Sequence, residues 1–271
     1  MTAGNIPALQ TASGDELVRL IHEVAPGSLR PILDNPALDE TALCLLLQRK
    51  DVQSEFLAEV LLRRQLLKNY AVKKLLAFHP HTPRTDALRL LRDLYLMDLV
   101  QFATSPATLP DLKRKAEDQV ISKMAQLPLG QKITLARRSP ARIAGALLAD
   151  GQPAVVKVAL SNPSLTEAQI LRVLAKEKLA PIVAQSIAQD SKWSHFYNVR
   201  VALIRQPSTT LATILAFLPE LTVSDLRELA APGILPDNLR HYLDVEIHRR
   251  LQKPDRPAGD PPPSPGSQDP P

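Results

Sequence analysis

Two octets decide the fold: Leu33-Asp-Asn-Pro-Ala-Leu-Asp-Glu40 and, about 127 residues on, Leu160-Ser-Asn-Pro-Ser-Leu-Thr-Glu167. In each, the Asn-Pro pair ends one helical run and the acidic residue opens the next. Proline lacks an amide donor and pushes the residue before it out of the helical region. Without a gap, the same offset pairs Tyr70 with Tyr197, Val72 with Val199, Leu76 with Leu203, Pro80 with Pro207 and Thr82 with Thr209. It continues through Leu91 and Leu218, Leu94 and Leu221, Asp98 and Asp225, Leu99 and Leu226, and Ala103 and Ala230. About 17 of roughly 71 positions are identical, more than leucine richness supplies, so blocks 33–103 and 160–230 read as an internal duplication.

Outward from these corners the periodicity is helical. Leu43, Leu46 and Leu47, then Leu57, Val60 and Leu61, recur at steps of three and four and fall on single helix faces. Further X-Pro breaks at His79-Pro80, Ser105-Pro106, Ser139-Pro140 and Gln206-Pro207 keep the helices short. Ala154–Leu160 has the one strand-like composition, but it follows Asp150-Gly-Gln-Pro153, a helix-start signal. The expected fold is all-α, an α-solenoid of short antiparallel helix pairs. Residues 1–13 read as a flexible N-terminus, 14–253 as the helical-repeat domain, and 254–271, rich in Pro, Asp, Gly and Ser, as a disordered tail.

Composition narrows the function. The chain has 271 residues, is 45% hydrophobic and carries one cysteine, so it can fill a core but has no intrachain disulfide. No signal peptide and no apolar run long enough for a bilayer stand out, which makes a cytoplasmic, membrane-free protein the expectation. The net charge of +5 is uneven. About 18 Lys/Arg against about 9 Asp/Glu fall between Gln48 and Arg142. A basic face of that kind attracts an acidic protein surface or phosphates.

The corners Asn-Pro-x-Leu-x-Glu and Tyr-x-Val, with Leu148-Ala-Asp-Gly-Gln-Pro-Ala-Val-Val156 and Tyr197-Asn-Val-Arg-Val-Ala-Leu203, resemble bacterial α-solenoids of the HEAT-like and variant leucine-rich repeat kind. The resemblance runs over roughly 15–251 and implies a packing plan rather than a ligand. Variant leucine-rich repeat proteins can carry an iron–sulfur cluster on several cysteines; with Cys44 alone, no such cofactor is implied here.

No motif points to catalysis. There is no Gly-x-Ser-x-Gly elbow, and Leu129-Gly-Gln-Lys132 lacks the first glycine and the hydroxyl residue of a phosphate loop. Cys44 lies on an apolar face and reads as a buried, inert thiol. His241, Asp244 and His248 share a helix face at metal-ligand spacing, a pattern that polar surface helices also give, and no metal site is assigned. Trp193, Phe196 and Tyr197 fall at i, i+3 and i+4 and read as one helix face within the repeat core. Leu66 stands where Trp193 would be matched, so the indole is the local exception. The expectation is a non-enzymatic scaffold, without cofactor or small-molecule substrate, that presents a helical face to a protein. Its candidate surface is Arg63, Arg64, Lys73, Lys74, Arg89 and Arg92, with Trp193 as an anchor. The alternative is nucleic-acid binding through the basic residues of 48–142.

Overall fold

The computed structural model describes residues 6–231, 235 and 237–252. Among them there is no strand, and the chain divides into two compact units, residues 1–165 and 166–271. The first unit holds α1 (Ile6–Thr11), α2 (Gly14–Glu23), α3 (Glu40–Gln48), α4 (Ser54–Leu62), α5 (Tyr70–Phe78), α6 (Arg84–Leu90), α7 (Leu96–Thr104), α8 (Pro110–Lys123), α9 (Leu129–Arg138), α10 (Ala141–Ala149) and α11 (Pro153–Leu160). The second holds α12 (Glu167–Leu174), α13 (Pro181–Gln189), α14 (Tyr197–Arg205), α15 (Leu211–Phe217), α16 (Val223–Leu229) and α17 (Asp237–Gln252). Short 3₁₀ turns join several of them, among them Arg30–Asp34, Leu66–Lys68, Leu91–Asp93 and Trp193–His195.

Local chemistry sets these boundaries. Asp39 caps α3 by accepting from the Ala42 amide at 2.7 Å, and Asn69 caps α5 through the Ala71 amide at 2.7 Å. Thr166, Thr210 and Thr222 do the same for α12, α15 and α16. Pro110, Pro153 and Pro181 open α8, α11 and α13, where their missing amide costs nothing. The residues before Pro80, Pro106, Pro140 and Pro207 are extended, and the helices stop ahead of them. Gly151, with φ of 77°, turns the chain after α10. Ser13 precedes α2 but makes no side-chain cap, because Gly14 enters the helix at a φ of 54°.

Each unit has its own leucine-rich interior. In the first, α3 packs on α2 and α5, α7 on α8, and α9, α10 and α11 on one another. In the second, α12 packs on α14, and α17 on α16. There Ile204, Ile214, Leu218, Leu226 and Leu229 meet Leu239, Leu243 and Ile247 of α17.

Polar groups, two of them buried asparagines, tie the corners together, and their bonds recur at the octet offset. The Asn35 carboxamide donates to the carbonyls of Leu9 and Ala12, both at 2.8 Å, and accepts from the Ala37 amide. Asn162 donates to the carbonyls of Ala136 and Ser139, at 2.7 and 3.1 Å, and accepts from the Ser164 amide. Thr82 Oγ1 donates to the Leu76 carbonyl and Thr209 Oγ1 to that of Leu203, each at 2.6 Å. The Tyr70 hydroxyl donates to Asp98 and accepts from the Tyr95 amide at 3.0 Å; Tyr197 treats Asp225 and the Thr222 amide alike. The ion pair Lys73–Asp93 has its counterpart in Arg200–Glu220.

Three expectations need correction. Residues 6–11 are helical and Leu9 is buried, because the Leu9 carbonyl is one of the two that Asn35 holds; the N-terminus is not wholly flexible through residue 13. Trp193, Phe196 and Tyr197 do not share one α-helix face: Trp193 opens a 3₁₀ turn, Phe196 is extended, and Tyr197 starts α14. Cys44 is half-buried rather than fully enclosed. The Pro-rich segment 254–271 lies outside the described residues.

Candidate protein-docking face

The end of α4 builds the most distinctive surface of the molecule. Phe56, Leu57 and Val60 face the core. Leu62 follows Val60 by two residues, about 200° around the helix, which turns its side chain away from that core. The helix stops there because Arg63 leaves helical geometry and its guanidinium fastens to the Leu33 carbonyl and to Asp34 at 2.6 Å. Leu62 is left 80% exposed, the most exposed large apolar side chain among the described residues. An exposed leucine forfeits most of the roughly 1.5–3 kcal/mol that burial yields, so folding energy does not account for its presence.

Two hollows meet at Leu62. One, of about 440 Å³, has an apolar floor of Ala58, Leu61, Leu62, Leu67 and Leu90, with Arg89 and Arg92 at its rim beside Asp86 and Asp93. The other, of about 470 Å³, is bounded by Leu33, Leu38, Leu62 and Leu66, with Arg63 and Arg64. The acids are already engaged: Asp93 holds Lys73 at 2.6 Å, and Asp86 faces Arg89 at 3.4 Å. Arg64 and Arg92 are exposed, and their guanidinium groups have no acidic or hydrogen-bonding partner among the described residues. Each hollow therefore carries one uncompensated guanidinium beside a shared leucine.

Of the candidate surface residues, Arg63, Arg64, Arg89 and Arg92 are brought together here. Arg63 serves partly as a structural tie, since it also reaches Glu59 at 3.6 Å. Lys73 and Lys74 are not free charges: they pair with Asp93 at 2.6 Å and Asp98 at 2.8 Å, and Asp98 also accepts from Tyr70. Trp193 is corrected as an anchor, while its place in the interior stands. It is 1% exposed, its ring stacks with Phe196 at 5.6 Å, and Lys192 lies 4.2 Å from its centroid. A buried indole offers no face to a partner. The residue that sequence reasoning missed is Leu62, hidden in a leucine-rich run, where only the position of the helix end tells which leucine faces out.

Other hollows are less distinctive. One, of about 720 Å³, lies between α12 and α14, floored by Leu171, Leu174, Val201 and Ala202, with Lys176, Glu177 and Arg205 around it. Arg205 is spent on Glu228 at 2.7 Å, and the Gln206 amide on the Leu174 carbonyl.

Several titratable groups are committed to structure. Burial, reinforced by Glu40 and Asp39, pushes the Cys44 thiol up, away from the reactive thiolate. His79 is buried and engaged through both nitrogens, Nε2 with the Arg49 carbonyl at 2.7 Å and Nδ1 with the His81 amide at 3.2 Å; burial holds its pKa down. Burial and the bond to Asp98 raise Tyr70 to about 12. On α17, His248 Nδ1 bonds the Asp244 carbonyl at 2.7 Å, and no group of three or more potential metal ligands converges among the described residues. No helix among them is long and apolar enough to cross a membrane. Comparison with protein-family models, with curated proteins and with solved structures gives no match.

Proposed function

We propose that this chain is a non-catalytic scaffold of helical repeats, an α-solenoid built from two related blocks, which works in the cytoplasm by presenting a face to another protein. The observation that carries the reading is Leu62, 80% exposed between two apolar hollows rimmed by arginines. The duplication is supported by the paired Asn, Thr and Tyr bonds and by helices that repeat their bounds: α4 and α13, α5 and α14, α6 and α15. Those pairs begin at Leu9 and Ala136, so the blocks extend upstream of the octets. Repeat architectures expose long faces because each unit contacts only its neighbours.

The internal comparison sharpens the point. At the octet offset from Leu62, Arg64, Arg89 and Arg92 stand Gln189, Ser191, Ala216 and Pro219. At those four positions the same helical plan is built without the leucine or any of the three arginines. These four residues are therefore surplus to the fold, and a partner is what they serve.

The test is paired affinity capture from nuclease-treated lysate, with the wild-type chain and a Leu62→Gln/Arg64→Ser/Arg92→Ala chain as baits. A protein retained in near-equal amount to the wild-type bait and depleted about tenfold on the variant is expected. The same proteins on both baits would overturn the reading.

A second reading, nucleic-acid binding, is favoured by one observation. Lys115 on α8 and Arg137 and Arg138 at the end of α9 are exposed and without acidic partners among the described residues. Against it, Lys73, Lys74, Arg84 and Arg142 are neutralised by Asp93, Asp98, Asp111 and Asp118. Duplex DNA binding that falls steeply with salt and is lost in Lys115→Gln/Arg137→Gln/Arg138→Gln would establish it.

A further inference from the structure

We infer that the Leu62 face takes an acidic, amphipathic segment of its partner: an apolar side chain seated over Leu62, with carboxylates on either side reaching Arg64 and Arg92. The inference rests on the protein-binding reading and names the chemistry of the partner. Three features select this occupant.

The first is the division of the surface. The two hollows share Leu62, and the unpartnered arginines lie one in each, Arg64 with Leu66 and Leu38, Arg92 with Leu67 and Leu90. A complementary ligand has its apolar group in the middle and its negative charges outside. Aspartates and glutamates flanking a leucine or phenylalanine meet that pattern.

The second is the kind of cation. A guanidinium presents a planar fork of donors that matches a carboxylate through two parallel bonds. Arg64 and Arg92 are free to do so, whereas Asp86 and Asp93, the acids that would repel such a ligand, are already matched by Arg89 and Lys73. The third is the floor. Leu61, Leu62, Leu67 and Leu90 offer no hydrogen bonds, which suits an apolar side chain and leaves a phosphate backbone unserved. A membrane surface fits less well than a peptide, because the apolar area is a hollow that admits one or two side chains.

The probe is a fluorescein-labelled peptide in which leucines recur every three or four residues among aspartates and glutamates, titrated against the full-length protein by anisotropy. Controls are the same peptide with Asn and Gln in place of the acids, the acidic peptide with Ala in place of Leu, and duplex DNA. The acidic leucine peptide should bind about tenfold more tightly than either altered peptide. Leu62→Gln should weaken it at every salt concentration, and Arg64→Ser/Arg92→Ala should weaken it and flatten its salt dependence. Circular dichroism confirms that each variant keeps its helices, and Lys113→Gln/Lys115→Gln, on α8, should bind as wild type.

Equal affinity for the acidic and amide peptides, or binding unchanged by Leu62→Gln, overturns the inference. So does duplex DNA that displaces the peptide and binds Leu62→Gln as well as wild type, which would assign the arginines to phosphates. If paired capture yields a Leu62-dependent protein while the peptide fails, the segment chemistry is wrong and the docking reading survives. If neither depends on Leu62, both are wrong.

Discussion

A single carboxamide organises each Asn-Pro corner. Asn162, 1% exposed, spends both amide hydrogens on the carbonyls of Ala136 and Ser139 and its oxygen on the Ser164 amide. Replacing it with alanine leaves two buried carbonyls without partners, each of which costs about 1–3 kcal/mol, and frees the more exposed Ser164 amide. Asn162→Ala should lower stability by about 3 kcal/mol in urea unfolding; a loss below about 0.5 kcal/mol would show that the corner does not depend on the amide. Ser139 gives the opposite case. Its side chain is fully buried and Oγ has no hydrogen-bond partner, while Ala12 occupies the equivalent place beside Asn35. Ser139→Ala should therefore be neutral or stabilising by up to about 1 kcal/mol in the same assay. The octet was legible in the sequence, but its partners were not, because nothing in the chain announces which carbonyls, 23 and 26 residues upstream, an asparagine will reach. Trp193 was misread for a related reason: an aromatic unique to one block suggests an exposed anchor, yet here it fills the interior at the position of the smaller, half-buried Leu66.

At the scale of elements, the corner after α5 differs between the blocks in its chemistry. His79 bonds the Arg49 carbonyl where Gln206 donates to the carbonyls of Leu174 and Lys176. With Nδ1 accepting from the His81 amide, His79 is held neutral with its proton on Nε2, and its surroundings include His81, Asp51 and Arg49. Burial, the largest cause, lowers its pKa from the ordinary 6.5. The unfolded chain thus takes up this proton at a higher pH than the folded one, so stability is full above about 6.5 and declines as pH falls below it. The slope is up to about 1.4 kcal/mol per pH unit. His79→Gln, the side chain used at position 206, should flatten this decline in thermal midpoints measured between pH 7 and 5; an unchanged slope would acquit His79. Helices themselves were well foretold, because prolines and caps mark their ends locally. Lys73 and Lys74 were not, since a charge pair that looks free in sequence finds its carboxylates at Asp93 and Asp98, beyond α6.

For the molecule as a whole, the basic excess of residues 48–142 resolves into two populations. One is consumed by internal pairs such as Arg84–Asp111, 2.6 Å, and Arg142–Asp118, 2.6 Å, and these stabilise little where they are exposed. The other stays free, on α8, at the end of α9, and at Arg64 and Arg92 beside Leu62. The last set adjoins the most exposed leucine among the described residues and hollows with leucine floors, and that combination marks a docking face rather than a solvated one. Periodicity alone could not find it, because Leu61 and Leu62 are equivalent letters until the end of α4 turns one of them out. Neutralising Arg137 and Arg138 should accordingly leave peptide binding within about twofold of wild type, read by the same anisotropy titration. The central claim is tested most directly by hydrogen–deuterium exchange of the full chain with and without the acidic leucine peptide. Slower exchange confined to residues 58–68 and 86–93 is the predicted result; protection centred on α8 and α9, or on the hollow between α12 and α14, would contradict it.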